Sequence, residues 1–297
     1  MLSICIPVYN FDMRLSLKLL GEQIQRLNEA VELIVIDDAS ALGFREINKV
    51  AAQNFQYIGL EKNVGRASIR NLFLKYTTYD YLLFLDCDSL IIDEHFIAKY
   101  LEIIKTAQPP VVCGGRVYGE TPPGKEKYLR WKYGTKRESQ SVGQRMKEPN
   151  NSFMTNNFLI QKSVLQEVQF DERLKDYGHE DTLFGYELLK KSIHITHINN
   201  PVGNGDIEDN AVFLEKTEYG VKNLKVIIKN MSDDQQLIKM VRLLRIREMV
   251  KRYRLTAFIR LLFSVTRKPI KNSLINGPFN LFLFDFYKLG LLISKDS

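Results

Sequence analysis

The strongest constraint on the fold is an alternation of short apolar runs with longer helix-permitting segments in the first hundred residues. Four runs rich in isoleucine, valine, leucine and tyrosine occur at residues 3–8, 32–36, 55–60 and 81–85. The segments between them hold about ten or more residues, enough for a helix that links two parallel strands. The runs lack polar alternation, which is typical of strands that helices cover on both faces. We therefore predict a βαβαβ unit with a buried, mainly parallel sheet.

The pattern beyond this unit is more varied. After a strand-like stretch at 111–118, residues 119–151 are rich in glycine, proline and charge, which predicts a long surface loop with a local helix at 128–132. The next predicted elements are a strand at 156–161, a polar loop at 171–181, a helix at 182–191 and a short strand at 193–198. From Asn210 onward the pattern predicts helices.

A domain boundary is expected between residues 205 and 235, where the α/β pattern gives way to a helical and basic one. We predict an α/β domain over residues 1–230, with one half at 1–118 and the other at 119–230. A basic helical C-terminal region is predicted over 231–297.

Composition indicates a folded protein of a reducing compartment. A chain of 297 residues with 45% hydrophobic and 26% charged residues excludes disorder, collagen and coiled coil. Cys5, Cys87 and Cys113 are too widely spaced for a disulfide framework, and with four histidines they leave little room for a zinc cluster. The first ten residues lack a basic segment and a long apolar core, so we expect no signal peptide. The longest apolar stretch, 281–293, is shorter than the roughly 20 residues of a membrane span. We expect a cytoplasmic chain.

The net charge of +7 is concentrated in one segment. Residues 239–271 hold eleven lysines and arginines against one acid, Glu248, so they carry +10 and leave −3 for the rest. A short amphipathic stripe at 237–245 and apolar side chains between 279 and 292 accompany this charge. The combination favours peripheral docking on an anionic membrane surface, at the inner face of the cell membrane. The alternative is a solvated basic face over a helical subdomain. No nucleic-acid partner is expected, because no interleaved aromatic array is present.

The sharpest candidate site is the pair Asp86 and Asp88, which follows the fourth predicted strand. In an extended segment residues i and i+2 point the same way, so the two carboxylates would converge at the sheet edge where open α/β folds bind ligands. Mg²⁺ or Mn²⁺ would relieve their repulsion and bridge to a diphosphate. The alternative is a strand-to-helix turn in which Asp88 or Ser89 caps the next helix.

Two further motifs are expected at the same ligand-binding edge of the sheet. Asp38 closes the second strand, a position suited to a ribose hydroxyl or a base edge, although this motif alone favours an N-cap or Asx turn before Ala39 and Ser40. Asn63, Gly65, Arg66 and Arg70 open the helix after the third strand, where a diphosphate would bind, although helix-surface arginines are mostly solvated.

Glu180 and Asp181 begin a helix about a hundred residues beyond the aspartate pair. The helix dipole favours acids at a first turn, and a carboxylate fixed there is also suited to act as a general base. The chain lacks a dinucleotide-binding glycine motif, a phosphate-binding loop of the ATPase type and a nucleophile elbow. Dinucleotide redox chemistry, ATP-dependent phosphate transfer and serine hydrolysis therefore lose their best markers.

Taken together and in order, these motifs resemble those of the inverting nucleotide-sugar glycosyltransferases of family 2, which have the GT-A fold. The resemblance covers residues 1 to about 230, and it rests on the ordered set rather than on any single motif. It implies a donor half at 1–118 and an acceptor half at 119–230. The segments that carry it are residues 7–10, 37–40, 63–71, 85–88 and 178–181.

The resemblance implies a role for each matching residue. Asp88 and Asp86 would hold Mn²⁺ or Mg²⁺, with Asp88 the direct ligand. Asp181 would deprotonate the acceptor hydroxyl of a glycan or lipid-linked acceptor, with Glu180 as the second choice. Tyr9 and Asp38 would border the base and ribose of a UDP-sugar. The residues expected to bind the nucleotide sugar are Pro7, Tyr9, Asn10, Asp38, Asn63, Gly65, Arg66, Arg70 and Asp86.

One position departs from the family. Related sequences often carry a metal-binding histidine shortly after an Asn-Pro-Val segment, whereas here Pro201, Val202 and Gly203 are followed by Asn204. Asparagine is a poorer metal ligand. A catalytically degenerate, membrane-associated scaffold that binds sugar nucleotides therefore remains an alternative. A second alternative is a sugar-1-phosphate nucleotidyltransferase, which shares the α/β architecture and the need for a metal. The glycine-rich, arginine-containing loop with which such enzymes usually open is absent here.

Overall fold

The structure is a computed structural model, and it describes residues 1–174, 177–205, 207–231, 234–277 and 280–294. The chain forms two compact units, each assembled from separate segments. The first unit comprises Met1–Tyr118, Ser139–Lys175 and Glu180–Asp206. The second comprises Gly119–Glu138, Asp176–His179 and Ile207–Ser297. This division into compact units differs from the predicted domain boundary at residue 230. The predicted boundary concerns function and stays a prediction.

The strands belong to the first unit. In chain order they are β1 Leu2–Val8, β2 Val31–Asp37, β3 Gln56–Gly59, β4 Tyr81–Leu85, β5 Ser89–Leu90, β6 Val111–Cys113, β7 Arg116–Val117, β8 Asn157–Gln161, β9 Thr196–His197 and β10 Val202–Asn204. Seven form a sheet in the order β3-β2-β1-β4-β8-β6-β9, and three form a small sheet in the order β5-β10-β7.

The larger sheet is mixed but mainly parallel, as predicted. β1 pairs in parallel with β2 and with β4, β2 pairs in parallel with β3, and β6 pairs in parallel with β9. Only β8 runs against its neighbours β4 and β6. The first four predicted strands are confirmed, whereas the strand predicted at 193–198 is limited to the two residues of β9. Because β1, β2 and β4 are parallel, their carboxyl ends meet at one edge of the sheet.

Helices occupy both faces of the larger sheet and build the second unit. They are α1 Arg14–Gln25, α2 Leu42–Ala51, α3 Arg66–Leu72, α4 Phe96–Thr106, α5 Tyr128–Tyr133, α6 Val142–Arg145, α7 Lys162–Glu167, α8 Glu180–Lys190, α9 Asn210–Asn230, α10 Gln235–Met240, α11 Arg242–Arg252, α12 Thr256–Asn276 and α13 Leu281–Ile293.

Alternate residues of the central strands enter two separate cores. Ile4 and Leu83 belong to a core that also contains side chains of α1 and α4. Cys5 and Phe84 belong to a second core, which contains side chains of α3, α7 and α8. Burial on both sides explains why these strands lack polar residues at alternate positions.

The segment 119–151 is more ordered than the predicted surface loop. The predicted local helix is present as α5, and α6 follows it, begun by a capping box in which Ser141 and Gln144 bond reciprocally. Arg145, which ends α6, is almost fully buried. Sequence pattern missed this because a buried arginine is indistinguishable from a solvated one without its partners.

The second unit is helical, and several apolar side chains that were predicted to face a membrane are buried in it. Side chains of α5, α9, α12 and α13 share one apolar cluster. The stripe predicted to be amphipathic at 237–245 is divided between α10 and α11, and its apolar members Leu237, Met240, Val241 and Leu244 are buried. Most apolar residues of α13 are buried or half-buried, and Phe279 lies outside the described residues. Among the described residues, no helix is both long and apolar enough to cross a membrane.

Candidate active site

The carboxyl ends of β1 and β2 bring two predicted site segments together. The backbone N–H of Asp38 donates to Val8 O at 2.8 Å, which ties the two strand ends. Asn10 has a positive φ of 49° and accepts the backbone N–H of Ala41 on its side-chain oxygen at 2.8 Å. Tyr9, beside it, is 53% exposed. Pro7 lies within β1 opposite Ile36. An exposed aromatic ring therefore stands at the sheet edge next to a rigid turn.

Asp37 and Asp38 have different roles. Asp37 is buried, accepts the N–H of Ser40 at 2.7 Å and accepts the hydroxyl of Tyr57 at 2.8 Å. It therefore makes the turn that was the alternative explanation for Asp38. The carboxylate of Asp38 instead accepts the backbone N–H groups of Val64 at 2.7 Å and Gly65 at 3.1 Å.

Asp38 thus holds the loop that precedes α3. Asn63 strengthens this contact, because its side-chain amide donates to Asp38 O at 3.1 Å. Gly65 has φ 85° and ψ 169°, a conformation essentially restricted to glycine. Burial raises the pKa of Asp38, and the two N–H donors oppose that increase. The predicted residues Asp38, Asn63 and Gly65 therefore form one cluster.

Asp86 and Asp88 lie on a turn rather than on an extended strand. The N–H of Ser89 donates to Asp86 O at 3.0 Å, and the N–H of Asp86 donates to Asn156 O at 3.1 Å. The argument from strand alternation is therefore wrong. The helix-cap alternative is also wrong, because β5 follows Asp88 directly.

Asp86 is the centre of an ion-pair network. Arg70, fully buried, donates from Nη2 to Asp86 Oδ1 at 2.6 Å. Arg66 donates from Nη2 to Asp86 Oδ2 at 3.2 Å and from Nε to Glu180 Oε1 at 2.7 Å. Burial by itself raises the pKa of Asp86, but the charges of Arg66, Arg70 and Arg116 outweigh it and hold that pKa below its ordinary value. Arg66 thereby joins the predicted metal pair to the start of α8.

The small sheet surrounds Asp88 with residues distant in sequence. Asn204 on β10 lies opposite Ser89 on β5, and the N–H of Gly205 donates to Asp88 O at 3.2 Å. Arg116 on β7 donates from Nη2 to the side-chain oxygen of Asn204 at 2.5 Å. Burial and the negative charge of Asp86 raise the pKa of Asp88, whereas Arg116 lowers it.

Arg116 is the site residue that sequence reasoning missed. It lies in a two-residue strand without a recognisable motif, and only the pairing of β7 with β10 brings it beside Asn204. A basic residue three positions beyond the apolar run 111–113 was the single available signal. The site therefore carries a third arginine near the aspartate pair.

Glu180 and Asp181 have opposite electrostatic surroundings at the first turn of α8. Burial raises the pKa of Glu180, but Arg66 and Arg70 outweigh it and lower that pKa. Burial and the neighbouring Glu180 raise the pKa of Asp181 to about 6. Asp181 Oδ1 accepts the backbone N–H of Thr182 at 2.6 Å. A carboxylate with a pKa near 6 is suited to accept a proton at neutral pH.

A comparison with known families identifies this architecture. The model of "Glycosyl transferase family 2" matches residues 3–169, which is more than half of the chain. The chain belongs to glycosyltransferase family 2. The match ends before α8, so the acidic pair at 180–181 lies outside it.

This glycosyltransferase is similar to two curated bacterial enzymes. The chondroitin synthase of Escherichia coli is 26% identical over 232 residues, which cover 66% of this chain and 33% of the relative. The chondroitin synthase of Pasteurella multocida (strain Pm70) is 27% identical over 223 residues, covering 64% of this chain and 23% of the relative. The chain thus matches a third or less of the length of each relative.

Solved structures place the glycosyltransferase in the GT-A fold. The mannosyltransferase PcManGT from Pyrobaculum calidifontis, in complex with GDP-Man and Mn²⁺, matches 77% of this chain and 64% of its own with a TM-score of 0.54 at 14% identity. The glucosyl-3-phosphoglycerate synthase from Mycobacterium tuberculosis, in complex with Mg²⁺ and UDP, matches 77% of this chain and 78% of its own with a TM-score of 0.54 at 13% identity. At such identities the likeness shows the fold alone.

The acidic side chains at this site of the glycosyltransferase suit a small divalent ion whose remaining ligands come from substrate phosphates. Among the described residues, no group of three histidine, cysteine or acidic side chains gathers to hold a metal unaided. In the same described part of the chain, the carboxylate of Asp88 enters no ion pair. The amide oxygen of Asn204 already accepts Arg116. Mg²⁺ typically binds one or two carboxylates plus substrate phosphates, so Asp88 and Asp86 fit that requirement.

Proposed function

We propose that this glycosyltransferase transfers a sugar from a UDP-sugar to a hydroxyl of a glycan or lipid-linked acceptor, with inversion at the anomeric carbon. Inversion requires a single displacement, in which a base takes the proton of the attacking hydroxyl while the diphosphate leaves from the opposite face. The chain therefore needs a base, a stabilised leaving group and a nucleotide site.

The observation that carries the proposal is the chain of ion pairs Asp86–Arg66–Glu180. It links the turn after β4 to the first turn of α8, residues about a hundred positions apart. Both ends hold a second carboxylate that enters none of these ion pairs, Asp88 at one end and Asp181 at the other. Fixed positions for two such groups support metal binding at one and proton transfer at the other, because orientation supplies much of an enzyme's rate enhancement.

Asp181 is the proposed base. Its raised pKa, about 6, matches the proton affinity that general-base catalysis needs near neutral pH. Glu180, whose pKa is lowered and whose Oε1 is bound by Arg66, is a weaker base and a positioning residue for the network.

The leaving diphosphate would be stabilised by a divalent metal and by arginines. Asp88 and Asp86 would hold Mn²⁺ or Mg²⁺, which neutralises diphosphate charge when bound. The side chain of Arg66 is 39% exposed and adds positive charge at the same turn. Arg116 contributes to the same field, because it lowers the pKa of both aspartates. Preorganised charges of this kind stabilise a transition state without reorganising.

The nucleotide would bind at the edge formed by Tyr9, Asn10 and the cluster of Asp38, Asn63 and Gly65. The exposed ring of Tyr9 is suited to stack on a base, since aromatic side chains stack favourably on nucleobases. Support for uridine comes from the family resemblance and from the UDP complex of one structural neighbour. The GDP-Man complex of the other makes guanosine the competing choice.

The acceptor would be a growing glycan or a lipid-linked saccharide at the inner face of the cell membrane. The named relatives are chondroitin synthases, which supports a role in polysaccharide biosynthesis. The +10 charge of residues 239–271 supports association with an anionic membrane surface.

A donor screen tests the proposal. The purified 297-residue chain is incubated with UDP-sugars and GDP-mannose and a panel of saccharide acceptors, with Mn²⁺, with Mg²⁺ or with EDTA, and nucleotide release is measured. We expect UDP release that requires the metal, and a product whose anomeric configuration, read by NMR, is opposite to that of the donor. Retention of configuration would overturn the inverting mechanism, and full turnover in EDTA would overturn metal assistance.

The same screen separates the alternatives. A scaffold, suggested by Asn204 in place of histidine, would bind UDP without releasing it from any donor. A nucleotidyltransferase would form a nucleotide sugar from a sugar phosphate and a nucleoside triphosphate, and the family match disfavours it.

A further inference from the structure

Helix α12 carries an exposed apolar stripe. Phe258, Leu261, Leu262 and Val265 are 63%, 67%, 41% and 74% exposed. Their spacing of three and four residues places them on one face of the helix. A folded protein rarely leaves four large apolar side chains together in water, and such patches mark interaction sites.

The opposite face of α12 fixes the helix in the second unit. Phe263, Ile270 and Leu274 are buried in the apolar cluster of that unit. The ring of Phe263 lies 5.6 Å from the ring of Tyr287, and a Cβ on Gly290 would clash with it at 2.1 Å. Close packing on this side explains why the stripe points away from the core.

Basic side chains flank the stripe in the sequence. Lys251, Arg252 and Arg254 precede α12 and are exposed, and the exposed Lys268 follows Val265 on the same helix. The sequence contains no acidic residue between Glu248 and Asp285. Among the described residues, neither Arg252 nor Arg254 nor Lys268 enters an ion pair. The stripe thus lies in a positive field that no acid of its own segment neutralises.

We infer that the α12 stripe, with its basic border, is the surface by which this chain docks on an anionic lipid membrane. The inference deepens the proposed function, because it assigns membrane association to particular residues. Apolar side chains would enter the interface while the border contacts lipid headgroups. A second copy of the chain is disfavoured as occupant, since two such borders would repel each other.

The assignment moves the docking surface relative to the sequence-based expectation. Residues 237–245 are buried on their apolar face, and of the apolar residues of α13 Phe282 is the one that stays strongly exposed. Tyr253 and Leu255, 66% and 46% exposed, extend the surface before α12 begins. The proposed surface therefore keeps the basic segment of the sequence-based prediction and replaces its apolar part with α12.

Vesicle co-sedimentation of the 297-residue chain tests the inference. The vesicles consist of phosphatidylcholine alone or of phosphatidylcholine with about 30% of the anionic lipid phosphatidylglycerol. Each type is tested at low and at high salt. The apolar variant is Phe258→Ser with Leu261→Ser and Val265→Ser. The charge variant is Arg252→Gln with Arg254→Gln and Lys268→Gln. The matched control, Leu42→Ser with Val50→Ser, removes two side chains of α2 that are each 70% exposed.

We expect the wild type and the control to bind anionic vesicles, with binding that weakens but persists at high salt. The charge variant should bind about a hundredfold more weakly at low salt, and the apolar variant should lose the salt-resistant part. Each variant's circular dichroism and melting temperature verify its fold. Wild-type protein that ignores anionic vesicles at low salt overturns the inference, as does a folded apolar variant that binds like the wild type. A salt-stable dimer that only the apolar variant abolishes, without vesicle binding, assigns the stripe to a second copy and also overturns it.

UDP binding is measured on the same samples by calorimetry. Intact UDP binding without vesicle binding refutes the docking surface alone. Vesicle binding without UDP binding refutes the proposed function alone. The two failures are therefore distinguishable.

Discussion

Neighbouring carboxylates in the site differ because of what surrounds each one. Glu180 faces Arg66, whereas Asp181 bonds to its own helix and lies beside the charge of Glu180. The same contrast separates Asp86, which two arginines hold ionised, from Asp88, whose pKa is raised. In each pair the pKa of one acid is lowered by arginines, whereas the pKa of the other is raised.

Asp181→Asn is expected to lower kcat by about 10² to 10⁴ while donor binding stays unchanged, because the amide keeps the shape and loses the base. In the wild type, kcat/KM should rise as pH increases through about 6, where Asp181 loses its proton. The measurements are steady-state rates across pH and calorimetry with UDP.

Asp181→Asn is expected to lower activity but to raise stability. A raised pKa means that Asp181 contributes stability below its unfolded pKa and loses it as pH rises through about 6. The neutral amide should therefore raise the melting temperature at pH 7.5. A fall in kcat of only a few-fold, or a collapse of UDP affinity, would contradict the role of base.

Asp88→Asn is expected to abolish Mn²⁺-dependent UDP binding and to reduce transfer by more than about a hundredfold, because one charged ligand is lost. Calorimetric titration of UDP with and without Mn²⁺ measures it. Glu94→Gln is the control, since it removes an exposed carboxylate six residues further along the chain. Wild-type UDP affinity in the Asp88 variant would remove Asp88 from the metal site.

At the scale of elements, α6 is attached to the sheet by one side chain. Arg145 donates to the carbonyl oxygens of Cys113 at 3.0 Å, Gly114 at 3.2 Å and Ile198 at 2.9 Å. It also donates to His197 Nδ1 at 2.9 Å. Since Arg145 is always protonated, His197 Nδ1 is an acceptor and its Nε2–H donates to Pro149 O at 2.9 Å.

Arg145→Ala is expected to lower the free energy of unfolding by at least about 2 kcal/mol, because several buried carbonyl groups lose their donor. Urea unfolding followed by circular dichroism measures the change. Lys147→Ala, exposed and two residues away, should change it by less than about 0.5 kcal/mol. Equal effects of the two substitutions would show that the hydrogen bonds of Arg145 contribute nothing to the free energy of unfolding.

Helix α12 provides a matched pair of phenylalanines. Phe263→Ala should lower the free energy of unfolding of the second unit by about 3–5 kcal/mol, since it opens a cavity against Tyr287 and Gly290. Phe258→Ala, on the exposed face, should change it by less than about 0.5 kcal/mol. Thermal unfolding of both variants checks the assignment of the two faces, and a destabilising Phe258 substitution would contradict it.

At the scale of the whole molecule, the second unit is built from segments far apart in the chain. Leu129 from the segment 119–138 shares its core with Phe213 and Leu214 of α9 and with side chains of α12 and α13. Asn210 adds a polar link, because its side chain accepts the N–H of Leu129 at 2.9 Å and donates to Ile275 O at 3.1 Å. The C-terminal helices are therefore part of a folded unit rather than a separable tail.

A chain that ends at residue 235 is expected to expose this core. It should bind a hydrophobic dye and unfold in a broad transition, whereas the 297-residue chain should unfold cooperatively. Dye fluorescence and calorimetry compare the two. A truncated chain with an unchanged sharp transition would mean that α9 and α5 are stable without α12 and α13.

The sequence by itself determined the first four strands and the order of the motifs. Residues 33–36 and 82–85 are uniformly apolar because both faces of their sheet are buried, and that pattern is visible in the sequence alone. Asp38, Asp86 and Asp181 could be predicted as site residues because each adjoins a strand or helix end that local pattern predicts.

The tertiary structure alone decided which charged groups meet and which apolar faces are covered. Arg116 reaches Asn204 only through the pairing of β7 with β10, and Arg145 is buried where it donates to the carbonyl oxygens of Cys113 in β6 and of Ile198, which follows β9. Likewise residues 237–245 and α12 both have apolar faces in sequence, but packing buries the first and leaves the second exposed. Periodicity defines a face of a helix, whereas the partner that covers it comes from distant parts of the chain.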